Sequence, residues 1–230
     1  MTFLTALELQ ALILSLKVAL VAVLFSLPVG IGVALALSRY DFPGKSLVNG
    51  IVHLPLIIPP VVTGYLLLVL LGRNGIIGKL IIEHLGFSFT FNWKGAAVAS
   101  AVVSFPLMVR AIRISFSSID AGLEFAASTL GAGRSRVFLT VTLPLAIPGI
   151  ISGSIMAFAR SISEFGATIT FVSNIPGQTN TLPLALYDLT QTPEGELGAA
   201  RLCIISIITA MTALIISEYC FKAYQSKINR

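Results

Sequence analysis

Charged side chains are scarce in this sequence. Only 11% of its 230 residues are Asp, Glu, Lys or Arg, whereas about a quarter of the residues in soluble domains are charged. Hydrophobic residues make up 56% of the chain, and its mean hydropathy is +0.93. A soluble protein of this length has too little interior to bury so much apolar surface. The composition therefore excludes a water-soluble enzyme and a disordered chain, and it indicates a membrane protein.

Residues that form disulfides or bind metals are also few. Cys203 and Cys220 are the only cysteines, and both lie in or beside the last apolar stretch. We interpret them as packing residues rather than as a disulfide. The two histidines, His53 and His84, are far apart and form no pair at metal-ligand spacing. We therefore predict that this chain holds neither a metal nor a cofactor.

One short motif imitates a nucleotide-binding loop. Gly44-Lys45-Ser46 matches the end of the phosphate-binding sequence, which also needs a glycine five residues before Gly44. Arg39 occupies that position, and an apolar span rather than a strand precedes the motif. The chain is therefore predicted to have no nucleotide site and no enzymatic activity of its own. Any ATP hydrolysis must then occur on another chain.

Five apolar stretches are long enough, or nearly so, to cross a bilayer as helices. A spanning helix needs about 20 residues, and an open sheet edge cannot stay unpaired in hydrocarbon. We predict an all-α membrane protein, a polytopic bundle of about five transmembrane helices at residues 18–38, 51–71, 95–112, 143–163 and 199–219. The adjacent Pro59 and Pro60 must distort the second span. We interpret Phe165–Tyr187, which is uncharged and contains an Asn-Ile-Pro-Gly turn, as a loop or a re-entrant element.

The basic residues indicate how the bundle is oriented. Cytoplasmic loops are enriched in Lys and Arg, and the segments after spans one, three and five carry nine of these residues against four on the other side. We therefore expect the N-terminus outside and the C-terminus in the cytoplasm. We interpret Arg113, Arg134 and Arg136 as positive-inside anchors rather than substrate ligands. The full cytoplasmic set is Arg39, Lys45, Arg110, Arg113, Arg134, Arg136, Lys222, Lys227 and Arg230.

Two charges are predicted to lie within or beside the fourth span. Arg160 and Glu164 are four residues apart, so a helix would place them on one face, where they can pair. Ser163 and Thr168 bring hydroxyl groups nearby in the sequence. These four residues are candidates for a translocation path or gate. The alternative is a structural ion pair that holds this helix to its neighbours or to a second copy of the chain.

Residues 124–144 carry the most specific pattern, EFAASTLGAGRSRVFLTVTLP. A short helix with an alanine face and a glycine-rich break is shaped to enter a groove on a partner. The pattern resembles the EAA loop of type I ABC-importer permeases, in which E-A-A, three residues, Gly, nine residues, an aliphatic residue, one residue and Leu-Pro follow in order. Phe125 holds the Glu position of that pattern, and Glu124 lies one residue earlier. The resemblance implies an ATPase-coupling role for Glu124, Ala126, Ala127, Gly131, Gly133, Val141, Leu143 and Pro144.

Four further motifs resemble one branch of this family, the molybdate permeases. They are FPGK at 42–45, HLPLIIPP at 53–60, SFPLMVRAIR at 104–113 and ARSISEFGAT at 159–168. The resemblance implies a single type I transmembrane domain over residues 1–230 and a cytoplasmic coupling loop over residues 113–142. Sulfate and thiosulfate permeases share parts of these motifs.

The resemblance implies a permease subunit that moves molybdate across the bacterial cytoplasmic (inner) membrane. Its expected partners are a second copy of itself, two ABC ATPase subunits that bind ATP and Mg, a periplasmic oxyanion-binding protein and the lipid bilayer, with no nucleic acid. A sulfate, thiosulfate or tungstate permease is the alternative function. An ATP-independent secondary anion transporter is the more distant one, because such a transporter is expected to carry ionisable relays through several spans and this sequence has one candidate pair.

Overall fold

The computed structural model describes residues 4–228, and their side chains except at position 217 and from position 220 onwards. The predictions for Cys220, Lys222 and Lys227 therefore concern side chains that are not described, and Arg230 lies outside the described residues. The described chain is helical and contains no strand. The helices are α1 (Ala6–Arg39), α2 (Lys45–Ile57), α3 (Pro60–Leu71), α4 (Ile76–Leu85), α5 (Trp93–Ser117), α6 (Ala121–Thr129), α7 (Arg134–Val137), α8 (Leu143–Ile162), α9 (Gly166–Val172), α10 (Leu182–Thr190) and α11 (Glu196–Ile228). A π-helical turn, Phe138–Thr142, joins α7 to α8.

Within the described residues, four helical segments are long and apolar enough to cross a bilayer: α1, α5, the continuous segment Arg134–Ile162 and α11. The second predicted span, 51–71, falls on two helices, α2 and α3, which meet at 116°. The backbone is extended at Ile58, between them. A proline nitrogen cannot donate a helix hydrogen bond, and the residue before a proline avoids the helical conformation. The Pro59-Pro60 pair therefore breaks this span rather than merely bending it.

Helix α1 is longer than the predicted first span because its charged beginning is paired. Thr5 and Glu8 form a capping box, in which the Thr5 N–H donates to Glu8 Oε2 at 2.7 Å. Glu8 is buried, and Arg201 in the first turns of α11 donates to its Oε1 at 2.8 Å. A buried carboxylate is tolerated only when it is paired and hydrogen-bonded. This ion pair joins the first and last long helices of the bundle.

Helix α5 forms the centre of the bundle, packed against α1 and α8. In the N-terminal half of α5, small residues such as Ala96, Ala99 and Ser100 are buried. Small side chains let helix backbones approach closely, which favours helix association in lipid. Toward the C-terminal end of α5, Met108 and Phe116 are fully buried and fill the space beside α1 and α8.

The segment Phe165–Tyr187 is folded and contains α9 and most of α10. Helix α9 packs against α3 and α5, and its Phe171 and Val172 are buried. Its approach to α3 is close, because a methyl group on Gly64 would lie 2.5 Å from the Ala167 carbonyl oxygen. Neither short helix has the about 20 residues of a spanning helix. Because α9 has only seven residues, it contains too few turns to give a recognisable helical pattern in the sequence.

Few of the described side chains of α11 are buried. Leu202 and Ala213 are buried against the bundle, whereas Cys203 is exposed and its thiol is free. Neighbouring residues on a helix point in different directions, so the burial of Leu202 leaves Cys203 on the outer face. The interpretation of Cys203 as a packing residue was therefore wrong within this chain.

Candidate functional site

The alanine-containing part of the predicted coupling loop folds as α6. Asp120 caps its N-terminus, because Asp120 Oδ1 accepts a hydrogen bond from the Gly122 N–H at 2.8 Å. At its other end, the Ala132 N–H donates to the Ala127 carbonyl at 3.2 Å. This closing hydrogen bond requires left-handed backbone at Gly131, whose φ is +87°. The glycine of the sequence pattern is thus the residue that ends α6 sharply.

The outer face of α6 is apolar and exposed. Leu123, Phe125 and Leu130 are 50%, 72% and 89% exposed, and the small Ala126 lies among them, also exposed. Clustered exposed apolar side chains on a protein surface mark sites of interaction. The sequence predicts the alanine face of α6. The exposure of Phe125 and Leu130 could not be predicted from it, since large apolar residues are usually buried.

Glu124 joins α6 to two other parts of the fold. Its Oε1 accepts a hydrogen bond from Arg39 Nη2 at 2.9 Å and from Thr142 Oγ1 at 2.6 Å. Arg39 ends α1, and Thr142 ends the π-helical turn before α8. Both side chains of the ion pair are about a quarter exposed, at 24% and 25%. A single carboxylate oxygen therefore links α6 to the beginning of one long helix and the end of another.

The Arg39 and Thr142 partners could not be identified from the sequence. They are separated from Glu124 by 85 and 18 residues, and no motif spans those distances. Their contacts close one side of an open cavity of about 710 Å³ between the end of α1, α6 and the π-helical turn. Arg134 and Phe138 also line this cavity.

The remaining residues of the coupling pattern lie in the elements that follow α6 in the chain. Gly133 is the last residue before α7, Val141 lies in the π-helical turn, and Leu143 and Pro144 begin α8. In the turn, the Leu143 N–H donates to the Phe138 carbonyl five residues back. Pro144 has no N–H and cannot continue a regular ladder, which is consistent with a wider turn at this point.

The candidate path residues lie at the opposite end of α8. This helix has 20 residues, so about 30 Å separates its two ends. Arg160 Nη1 lies 2.7 Å from Glu164 Oε2, and Glu164 Oε1 accepts a hydrogen bond from the Ala167 N–H at 2.8 Å. The pair forms as predicted, but not on one helix. Helix α8 ends at Ile162, and Glu164, only 2% exposed, lies in the break before α9.

The two predicted hydroxyl residues behave differently. Ser163 is exposed and donates to the Arg160 carbonyl at 3.1 Å. Thr168 is buried in α9, and Thr63 is buried on the packed neighbour α3. Neither of these threonine hydroxyl oxygens has a hydrogen-bond partner within the described residues. Thr63 was missed because no charge or motif near it in the sequence points to this region.

Comparison with known proteins identifies the family. The model of the binding-protein-dependent transport system inner membrane component matches residues 26–227. The chain belongs to this family. It is 60% identical to the molybdenum transport system permease protein of Escherichia coli strain K12 over 223 residues, which cover 97% of each chain. It is 56% identical, with the same coverage, to the corresponding protein of Haemophilus influenzae.

Solved structures confirm the predicted fold class. The fold is similar to that of the MetNI methionine ABC transporter, solved in inward-facing conformations, with a TM-score of 0.74 and 16% sequence identity. The similarity covers 95% of this chain and 96% of that one. The chain is therefore an all-α, polytopic transmembrane domain of the type I ABC-importer fold.

Substitution of Glu124 should loosen α6. Glu124→Ala removes both hydrogen bonds, and a hydrogen bond to a charged group contributes about 1.5–3 kcal/mol. We expect trypsin to cleave after the exposed Arg134 and Arg136 about tenfold faster, since about 1.4 kcal/mol corresponds to that factor. Glu124→Gln keeps an oxygen acceptor and should give an intermediate rate. Ser128→Ala, which removes a hydroxyl from the exposed face of α6, is the control, and equal rates for Glu124→Ala and this control would contradict the role of Glu124.

Proposed function

We propose that the chain is the membrane-spanning permease subunit of an ATP-driven importer that carries molybdate. The observation that supports this most strongly is the 60% identity, over 97% of both chains, to a molybdenum transport permease. The aligned region covers 223 of the 230 residues, so the similarity is not confined to the apolar spans. A membrane subunit of this kind is not an enzyme, and it needs partners that bind ATP and deliver substrate.

The proposed partners are two ATPase subunits, a second copy of this chain and a periplasmic binding protein for oxyanions. The exposed apolar face of α6, with Phe125 and Leu130, is suited to a groove on the ATPase. ATP and Mg are proposed to bind to that partner, because Gly44-Lys45-Ser46 lacks the rest of the phosphate-binding motif. Five spans from one chain are few to line a path for a hydrated dianion, which favours a dimer.

The proposed orientation places α6 in the cytoplasm and the N-terminus outside, in the bacterial inner membrane. The excess of Lys and Arg at the α6 end of the bundle supports it. In this orientation the Glu8–Arg201 pair lies at the outer end of the bundle, and the exposed face of α6 can reach a soluble ATPase. Uptake then runs from the binding protein outside toward the coupling loop inside.

Glu124 gives this transporter a mechanical connection. A displacement of α6 by the ATPase acts at one carboxylate oxygen on both Arg39 and Thr142, so it reaches α1 and α8 together. The switch between inward-open and outward-open states needs ligands with different affinities for the two states. ATP on the partner and the loaded binding protein would each favour the outward-open state.

Arg160, Ser163, Glu164 and Thr168 are proposed to belong to the translocation path or its gate. The orphan hydroxyls of Thr168 and Thr63 support this, because buried polar groups without partners are costly and occur at functional sites. The competing interpretation is structural, since Glu164 also caps the start of α9 through the Ala167 N–H. The two interpretations differ in what loss of the Glu164 charge does to assembly.

Uptake into vesicles tests the proposed substrate. The chain, its ATPase and loaded binding protein are reconstituted, and uptake of labelled molybdate is measured with and without ATP, with sulfate in excess as competitor. We expect ATP-dependent uptake that sulfate leaves unchanged. Uptake abolished by sulfate would move the chain to the sulfate branch, whereas uptake that does not require ATP would indicate a secondary anion transporter. Tungstate as a second competitor separates the remaining alternative.

Bulky residues in the break after α6 should uncouple the ATPase. We expect Gly131→Trp to abolish ATP-driven uptake because the indole obstructs the docking surface. Gly131 has a positive φ, so any side chain there is strained, and Gly131→Ala serves as the control for strain alone. Gly133→Trp adds the same bulk at ordinary backbone with open space around it. Normal uptake and normal co-purification of the ATPase with Gly133→Trp would contradict docking at this surface.

Glu164→Gln separates the gate from the structural ion pair. Gln keeps an oxygen that can accept from the Ala167 N–H but loses the ion pair with Arg160. We expect the dimer to assemble normally while the uptake rate changes by about tenfold, the equivalent of about 1.4 kcal/mol. Glu83→Gln, on the exposed surface of α4, controls for loss of one negative charge. Failure of Glu164→Gln to assemble, with recovery in Arg160→Gln/Glu164→Gln, would support the structural interpretation.

A further inference from the structure

A second cavity, of about 620 Å³, lies between α2 and the C-terminal end of α5. Its lining includes Asn49 and His53 from α2, Arg110 and Arg113 from α5, and Ser117 at the end of α5. Since α5 leads through three residues into α6, the cavity opens at the end of the bundle that carries the coupling loop. We call it the basic cavity.

The basic cavity carries positive charge that nothing in its lining neutralises. Two guanidinium groups line it, and no Asp or Glu does. Arg113 Nη1 donates to Asn49 Oδ1 at 2.8 Å, a neutral partner that orients the guanidinium and leaves its charge uncompensated. Arg110 is exposed, and its side chain has no hydrogen-bond or ion-pair partner within the described residues. By contrast Arg39, Arg160 and Arg201 each pair with a carboxylate.

We propose that the basic cavity is a weak binding site for a tetrahedral oxyanion, which it holds at the exit end of the transport path. Guanidinium groups offer several N–H donors in a planar fork that suits anionic oxygens. The volume far exceeds the roughly 30 Å³ of one water, so an oxyanion fits together with part of its hydration shell. The role as an exit site rests on the function proposed above.

The arrangement favours release over retention. Arg110 is exposed to solvent, and screening by water and salt weakens attraction between exposed charges. A transport path requires sites that attract the ion but do not hold it tightly. The sequence predicts Arg113 to be a positive-inside anchor rather than a substrate ligand; this proposal instead gives it a role in anion binding, because Arg113 lines the cavity and donates to Asn49 on α2.

Two sources can supply the same chemistry: the transported oxyanion and the phosphate of a lipid headgroup. Both are tetrahedral groups of oxygen atoms with negative charge, and basic residues at the cytoplasmic end of a bundle attract anionic lipids. The transported oxyanion is small and freely exchanging. A lipid phosphate is present only when the bilayer contains anionic lipid, so the bilayer composition distinguishes the two.

Chemical modification of Arg110 tests the site without requiring transport. The full chain with its ATPase is placed in nanodiscs of phosphatidylcholine, and arginine adducts with phenylglyoxal are quantified by mass spectrometry. We expect sodium molybdate or sodium sulfate to slow modification of Arg110 by about threefold, corresponding to partial occupancy of a weak site. Sodium chloride at matched ionic strength should not. Arg73, exposed on the loop after α3, reports any effect that is not local.

The outcomes separate the alternatives. Protection of Arg110 but not Arg73, reduced in Arg113→Gln, supports an oxyanion site built from both guanidinium groups. Protection that requires phosphatidylglycerol in the nanodisc and no added oxyanion assigns the cavity to a lipid phosphate, which overturns the exit site. Equal modification of Arg110 under all conditions overturns the site altogether. Arg113→Gln keeps a side chain that can hydrogen-bond Asn49, which preserves the α2–α5 contact.

A transport measurement then tests the role of the site. Arg110→Gln and Arg113→Gln should each lower ATP-dependent uptake by about threefold while the ATPase co-purifies normally. Lys45→Gln is the matched control, because it also removes one positive charge near the basic cavity's end of the bundle, but a charge that is already paired. Lys45, at the start of α2, donates to Asp41 Oδ1 at 2.8 Å and lowers the pKa of that carboxyl. Wild-type uptake of the two variants would overturn the exit role. Absence of molybdate uptake by the wild-type chain would instead count against the proposed function, and the modification experiment with sulfate would still test the site.

Discussion

Hydrocarbon solvates neither an isolated charge nor an unpaired backbone group, and this constraint accounts for the placement of charge in the bundle. Three ion pairs join parts of the chain at different levels: Glu8 with Arg201, Arg160 with Glu164, and Arg39 with Glu124. The first brings α1 and α11 together and the third attaches α6. Glu8 and Glu164 are buried carboxylates that would be costly without a partner, whereas the Arg39–Glu124 pair is partly exposed.

Apart from these ion pairs, small residues and breaks in the helices determine how closely the helices pack. Ala96 and Ala99 of α5 lie in one cluster with Val18 of α1 and Phe171 of α9, and Gly64 lets α9 lie against α3. Between α2 and α3 the backbone is extended at Ile58, and the two helices meet at 116°.

The two ends of α8 divide the functional surfaces. At one end, the π-helical turn and Glu124 attach α6, on which Phe125 and Leu130 are exposed. At the other end, Glu164 caps α9 and pairs with Arg160 beside the buried Thr168. A helix about 30 Å long thus separates the proposed coupling surface from the proposed path or gate residues.

Several properties follow from the sequence alone. The scarcity of charge indicated a membrane protein, the length of the apolar stretches set the approximate number of spans, and the spacing from Ala126 to Pro144 predicted a coupling loop, because these are local or compositional signals. The tertiary structure decided what depends on distant residues. It paired Glu124 with Arg39 across 85 positions, buried Glu8 against Arg201, and brought Asn49 to Arg113. It also ended α8 at Ile162, before Glu164. Contacts between residues far apart in the chain depend on how helices pack, and no local pattern encodes them.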